Sequence, residues 1–349
     1  MSKHHYALTL AKNGHRVFFL NPPESLLSDW LLSTATNTLN LILVRGPKVA
    51  LGLRFYPTAL QRWYETRWLY RFEHQVGCRI DTIWLFENSR FYDLRFAGSR
   101  LKIYHQVDLN QDFHPTTAAR TADICLCTTD IIRDRLLPHN QSVFKIHHGL
   151  AQHQSTPSLT DEQNAQFAGG SAQAAYIGNL DMAYLDAELL ADTARSFPNV
   201  RFHFVGGYSV MGRLRQLTGE LPNVVWWGKI DSALIPAILE RVDMLLVTYK
   251  AALYGEQASP HKIMEYLASG KVIVATYTDE YKDKRHLLEM VDDNAAYLNA
   301  FDCVISHLEE YNSPARQAER KAFAFEHTYQ KQLETIFGLL NEHGLNERQ

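Results

Sequence analysis

The sequence predicts an α/β protein of two domains, each built on a parallel sheet, and three observations carry that prediction. Short β-branched and aromatic runs alternate with amphipathic stretches along the chain, the pattern of strand–helix repeats. The alternation is interrupted by a polar stretch rich in Gln, Ser, Thr and Gly over residues 151–173, where an interdomain connection is expected. A length of 349 residues suits two domains of ordinary size. The expected division is a first domain at 1–150, the connection at 151–173, a second domain at 174–313 and a helical tail at 314–349, which could cross back to the first domain.

In the first half, residues 4–13 read as a helix that Gly14 ends, and residues 16–20 as a strand running into Asn21-Pro22-Pro23. In a doubly wound sheet the first strand is central, yet only Met1-Ser2-Lys3 stand before this helix. The first strand is therefore expected to be missing, with an upstream stretch of roughly 15–25 residues to supply it. Residues 39–44, 80–86, 101–107 and 122–128 read as strands, 57–74 as a helix, and 145–149 as the last strand and exit turn.

In the second half, strands are expected at 174–177, 202–205, 224–228 and 244–249, with helices at 185–195 and 233–241. The stretch from Ser259 to Gly270 has the clearest punctuation. Ser259 can cap a helix, Pro260 fits its first position, and Gly270 supplies the left-handed stop. Ile263, Met264, Leu267 and Ala268 share one arc with Pro260, while Lys262, Glu265, Tyr266 and Ser269 share the opposite one. Val272-Ile273-Val274-Ala275 then reads as a buried strand. A helix N-terminus beside a lysine, with a carboxylate one turn further in, suits a phosphate with a sugar hydroxyl behind it. The plain alternative is an ordinary amphipathic helix before a strand.

The order Ser-Pro-x-Lys-x-x-Glu-Tyr-Leu-Ala-Ser-Gly over these residues resembles the nucleotide-sugar motif of GT-B glycosyltransferases of the family 4 type. The resemblance implies two Rossmann-like domains facing a cleft, with the acceptor side on the first and the nucleotide-sugar donor on the second. It implies transfer of a sugar to a hydroxyl acceptor, saccharide or lipid-linked, in polysaccharide or glycolipid assembly. Lys262 would hold the diphosphate and Glu265 the ribose hydroxyls, with Ser259, Pro260 and Tyr266 around them. Gly178, Asn179 and Tyr249, at strand ends of the second domain, would line the same site. Enzymes of that family commonly carry two glutamates with seven residues between them; counting back from Glu265 gives Gln257, with Glu256 beside it. Many also carry an Arg and a Lys after the first strand of this domain, where this chain has Gly178-Asn179-Leu180-Asp181. A sugar-nucleotide epimerase and a non-catalytic nucleotide-sugar-binding protein remain as alternatives.

On the first domain, Asp108 closes the expected strand at 101–107 and could take a proton from an acceptor hydroxyl; the alternative is an Asp that caps the following turn. His105 and Glu87 are further catalytic candidates on the same rim. Residues 54–72 interleave Arg67 and Arg71 with Trp63, Trp68 and Tyr70, which suggests a membrane surface. The arginines do not segregate on a helical wheel, so core packing with a few surface arginines is the preferred reading.

Composition narrows the classes. The chain is 46% hydrophobic and has no apolar run long enough to span a bilayer. No signal segment is recognised, so the default compartment is the cytoplasm, with peripheral contact at the inner membrane face as an option. Residues 1–150 hold 18 Lys and Arg against 12 Asp and Glu, and the rest 17 against 26, so the net charge of −3 divides into +6 and −9. A basic first half favours an anionic partner but is too weakly charged to argue for nucleic acid. Cys78, Cys125, Cys127 and Cys303 lack metal-ligand spacing and read as reduced thiols. No metal or cofactor is expected beyond the donor substrate, because lysine and the helix dipole can neutralise the diphosphate.

Overall fold

The computed structural model describes residues 2–23, 29–35, 38–109, 113–151, 157–253, 260 and 262–345. The chain divides into two compact units, Met1–His147 with Tyr329–Gln349, and His148–Thr328.

In the first unit, helix α1 (Ser2–Lys12) leads into strands β1 (Val17–Leu20), β2 (Leu31–Ala35) and β3 (Thr38–Arg45). Helix α2 (Thr58–Val76), β4 (Thr82–Leu85), β5 (Leu101–Gln106), α3 (Pro115–Thr121), β6 (Ile124–Cys127), α4 (Asp130–Leu136) and β7 (Val143–Lys145) follow. The strands form two sheets, a three-stranded β1-β3-β2 and a parallel β4-β5-β6-β7. In the smaller sheet β1 runs parallel to β3 and β2 antiparallel to it. β1 and β4 are thus sheet edges, and Tyr6 of α1 packs on β4 and β5, its ring 5.2 Å from Trp84 and 5.4 Å from His105. β7 begins earlier than the sequence suggests, because Val143-Phe144-Lys145 pairs with Cys125–Cys127 and leaves His147 and His148 beyond the strand.

The second unit starts with α5 (Asp161–Ala165), inside the stretch read as a connection. A reciprocal cap between Thr160 and Gln163 forms this short helix, which shows no apolar period in the sequence. Then come β8 (Ala172–Ile177), α6 (Ala187–Ser196), β9 (Val200–Val205), α7 (Arg213–Thr218), β10 (Val224–Gly228), α8 (Ile235–Arg241) and β11 (Met244–Val247). The rest is α9 (Lys262–Ser269), β12 (Val272–Ala275), β13 (Glu289–Met290), α10 (Tyr297–Ser306), α11 (Leu308–Tyr311) and α12 (Pro314–Glu326). The sheet has the order β10-β9-β8-β11-β12-β13 with every neighbouring pair parallel. Every residue of β11 and β12 is buried, as strands covered on both faces require. The helical tail consists of two helices. α12 belongs to the second unit, while α13 (Tyr329–Glu342) belongs to the first, where the Tyr329 hydroxyl donates to Ser2 Oγ at 3.2 Å.

One buried polar cluster has a pH signature. Trp227 Nε1 donates to His203 Nδ1 at 3.0 Å, so Nε2–H of the neutral ring donates to Gln173 Oε1 at 2.8 Å. Burial, with Arg201 adding to it, pushes the His203 pKa down from 6.5 to about 3. Below its ordinary pKa the unfolded chain takes up this proton and the folded chain does not. Stability is therefore lost as pH falls, by about 1.4 kcal/mol per pH unit until about pH 3. His203→Gln is expected to flatten the acid side of the stability–pH curve by about 2 kcal/mol at about pH 5; urea titrations at several pH values measure this.

Among the described residues, no helix is long and apolar enough to cross a membrane.

Candidate functional site

Ligands of an open parallel sheet sit outside the carboxyl ends of the strands where the strand order reverses. In the second unit that point lies between β8 and β11. Gly178 follows β8 directly, and Tyr249 stands two residues beyond β11. Both chain exits are fixed by hydrogen bonds. Gly178 N–H donates to Val205 O at 2.8 Å, and Tyr249 N–H to Thr276 Oγ1 at 2.8 Å.

Lys262 opens α9 at this point. Its Nζ lies 3.8 Å from the centre of the Tyr176 ring and 5.8 Å from that of Tyr249. A Cβ on Gly178 would come within 2.8 Å of this Nζ, so glycine keeps the ammonium's approach open. Gly206, at the end of β9, is equally constrained: with φ of +140° it leaves no room for a side chain against the Gly178 carbonyl. The lysine is buried, and among the described residues its close neighbours are aromatic faces and not a paired carboxylate. Burial lowers its pKa from 10.5 to about 7, against an opposing pull from Glu265. Such a group gains most from a ligand that brings negative charge.

Glu265, one turn further along α9, is partly buried, and burial raises its carboxyl pKa. α9 is held at both ends. Ile263 N–H donates to Pro260 O at 3.1 Å, and the buried guanidinium of Arg320 on α12 donates to Gly270 O at 3.0 Å.

Other predicted residues have different surroundings. Tyr266 is in the core, its hydroxyl accepting from Ile177 N–H at 2.8 Å, so it anchors the end of β8 and does not reach the crevice. The amphipathic wheel misplaced it because α9 packs against the sheet on one side and α12 on another. Asn179 is exposed and its Oδ1 accepts from Asp181 N–H at 3.0 Å, closing its own turn. Ser259 and Gln257 lie outside the described residues, as does Glu256. Tyr176 and Gly206 were not singled out in the sequence: strand periodicity says which face Tyr176 takes, not that a cation lies on its ring.

In the first unit, Asp108 stands just beyond β5 and reaches solvent, yet protein around its carboxyl raises its pKa by desolvation. Among the described residues its side chain accepts no hydrogen bond; the turn that it could cap, residues 110–112, lies outside them. Glu87 does cap a turn: its Oε1 accepts from Ser89 N–H at 2.9 Å. His105 is not on the rim. It is buried within β5, its ring stacked 4.8 Å from Phe86 and 6.0 Å from Trp84.

Comparison with known proteins bears on the fold and on the second unit. Residues 171–307 match the family described as Glycosyl transferases group 1. A teichuronic acid biosynthesis glycosyltransferase of Bacillus subtilis (strain 168) is 29% identical over 119 residues, 31% of this chain and 30% of that protein, so the match spans less than a third of the relative. Among solved structures, sucrose-phosphate synthase from Thermosynechococcus elongatus is similar at a TM-score of 0.69 and 14% identity, over 97% of this chain and 92% of that one. The catalytic domain of starch synthase IV from Arabidopsis thaliana, bound to ADP and acarbose, gives a TM-score of 0.69 at 12% identity over 98% and 95%. The chain has the GT-B fold, and within it residues 171–307 match the glycosyl transferases group 1 family.

Proposed function

We propose that this chain is a glycosyltransferase that moves a sugar from a nucleoside-diphosphate sugar to a hydroxyl acceptor in polysaccharide or glycolipid assembly. The observation that carries the reading is Lys262, a buried cation that forms no ion pair among the described residues, at the switch point of a doubly wound sheet and on the first turn of a helix. When the sugar leaves, negative charge grows on the diphosphate, and a fixed ammonium with the helix dipole behind it stabilises that charge more than the ground state. In this reading Glu265 accepts from a ribose hydroxyl and Asp108 takes the acceptor's proton. The relative named for teichuronic acid biosynthesis supports a cell-surface polymer as the product class. A lipid-linked acceptor would bring the chain to the cytoplasmic face of a membrane.

The reading is tested by incubating the protein with a panel of radiolabelled nucleotide sugars, with and without acceptor extracts. Label passing to acceptor supports it. Epimerised donor, or retained but unconverted donor, would replace it with one of the alternatives.

Two further outcomes are expected. Glu265→Gln should weaken binding of ribonucleotides by about tenfold and of 2′-deoxyribonucleotides far less, since a hydrogen bond to a charged group is worth about 1.5–3 kcal/mol. Equal losses would remove the ribose contact. Transfer should also persist in EDTA, because Lys262 supplies the cation that the departing diphosphate needs. Activity lost to EDTA and restored by magnesium or manganese would overturn that inference.

A further inference from the structure

We propose that the first unit docks on an anionic lipid surface through the outer face of α2 and the segment that precedes it. α2 turns Gln61, Glu65, Trp68, Leu69 and Phe72 inward. Past its first turn, its exposed positions are Trp63, Arg67, Tyr70, Arg71, His74 and Gln75, and with Leu60 before them they fall on a single stripe at about 100° per residue. No carboxylate lies on that stripe. The helix has two acids: Glu65 is buried, and Glu73 is held by Arg100 at 2.7 Å. The sequence-level reading was therefore half right. Trp68 and Phe72 are core, but Trp63 and Tyr70 face outward with Arg67 and Arg71, and only Arg62 turns aside, toward Asp93.

The preceding turn enlarges the face with Leu51 and Phe55, which are 77% and 76% exposed, and Tyr56 packs on Tyr64 to hold it against the helix. Each large exposed ring carries its own cation: Arg54 lies 4.7 Å over Phe55 and Arg67 5.8 Å over Trp63. Apolar surface this exposed marks an interaction site. Its pairing with guanidinium groups selects the partner. At a bilayer surface the rings enter the acyl boundary while the arginine heads stay among the phosphates. Charge complementarity points the same way, since residues 46–72 contain Lys48, Arg54, Arg62, Arg67 and Arg71 against Glu65 alone. Burial and nearby Asp93 raise the Glu65 pKa to about 8, which removes most of its charge near neutrality. A soluble polyanion would use the arginines but gain nothing from Leu51, Phe55 and Trp63.

The test is co-sedimentation of the full chain with phosphatidylcholine vesicles, with and without phosphatidylglycerol. Binding is expected to the anionic vesicles, to weaken with salt, and to shift tryptophan emission to shorter wavelength. Each cation near such a surface is worth about fivefold in partition, so Arg67→Gln with Arg71→Gln should lower binding about 25-fold. Phe55→Ser with Trp63→Ser should lower it at low salt as well. Failure of the wild type to bind, equal binding to neutral vesicles, or unchanged binding by both variants would overturn the proposal. So would binding of a soluble anionic polysaccharide that the arginine variant loses while vesicle binding is absent. Nucleoside-diphosphate affinity, set in the other unit by Lys262, serves as the fold control. It also separates failure of this docking face from failure of the transferase reading.

Discussion

Lys262→Met is expected to weaken binding of a nucleotide sugar by about tenfold to a hundredfold while leaving the fold intact. The estimate follows from the 1.5–3 kcal/mol of a charge-assisted contact at a desolvated site. Methionine is the informative replacement because its thioether can rest on the rings of Tyr176 and Tyr249, which now face the ammonium. Removing a buried charge that forms no ion pair among the described residues also relieves a desolvation cost, so the apo protein should be at least as stable as the wild type. The pH dependence gives a second readout. The lysine of the free protein has a pKa of about 7, and a bound diphosphate holds it charged. Wild-type affinity should therefore be highest below that pH and fall above it, by up to about tenfold per unit. The diphosphate of a nucleotide sugar keeps its charge across this range, so the slope reports on the lysine. The methionine variant should bind weakly with no such slope. Calorimetric titration at several pH values measures both, and equal affinity or an unchanged slope would move the phosphate elsewhere.

How much of this was legible in the sequence depended on the kind of signal. α9 was readable because its boundary is written in Pro260 and Gly270, residue types with few other uses. The parallel sheet of the second unit was readable because strands and helices alternate along the chain. Two things were not. Helical periodicity marks which residues share an arc, but it cannot tell solvent from a second packed layer, so Tyr266 was read as facing a ligand when it anchors Ile177. Strand alternation likewise placed His105 near a strand end without saying that Tyr6, Trp84 and Phe86 close over that face. β2 was missed for a simpler reason: its first four residues are exposed, so Leu31-Leu32-Ser33-Thr34 shows no alternation to find. The lysine's aromatic seat depends on three segments meeting, β8, the end of β11 and α9, and no local pattern records such a meeting.

Asp108→Asn is expected to lower sugar transfer at least about a hundredfold, the range of a lost general base, while donor affinity stays within about twofold. The backbone at this point is held by two side chains: Thr128 Oγ1 donates to Val107 O at 2.7 Å, and Gln106 Nε2 donates to the Asp108 carbonyl at 3.1 Å. The carboxyl itself is uncommitted among the described residues, and desolvation raises its pKa toward the working pH, which makes it a stronger base. Asparagine keeps the shape and cannot accept the proton. Glu87→Gln is the matched control, because that carboxylate is occupied by the Ser89 N–H and has a turn to hold; its variant should transfer at near wild-type rate. The pH profile separates a base from a merely structural carboxylate. A base works only when deprotonated, so wild-type turnover should decline as pH falls through the raised pKa of Asp108. In the asparagine variant the residual rate should lose that acid limb. An unchanged turnover number, or a donor-affinity loss as large as the transfer loss, would return Asp108 to a structural role.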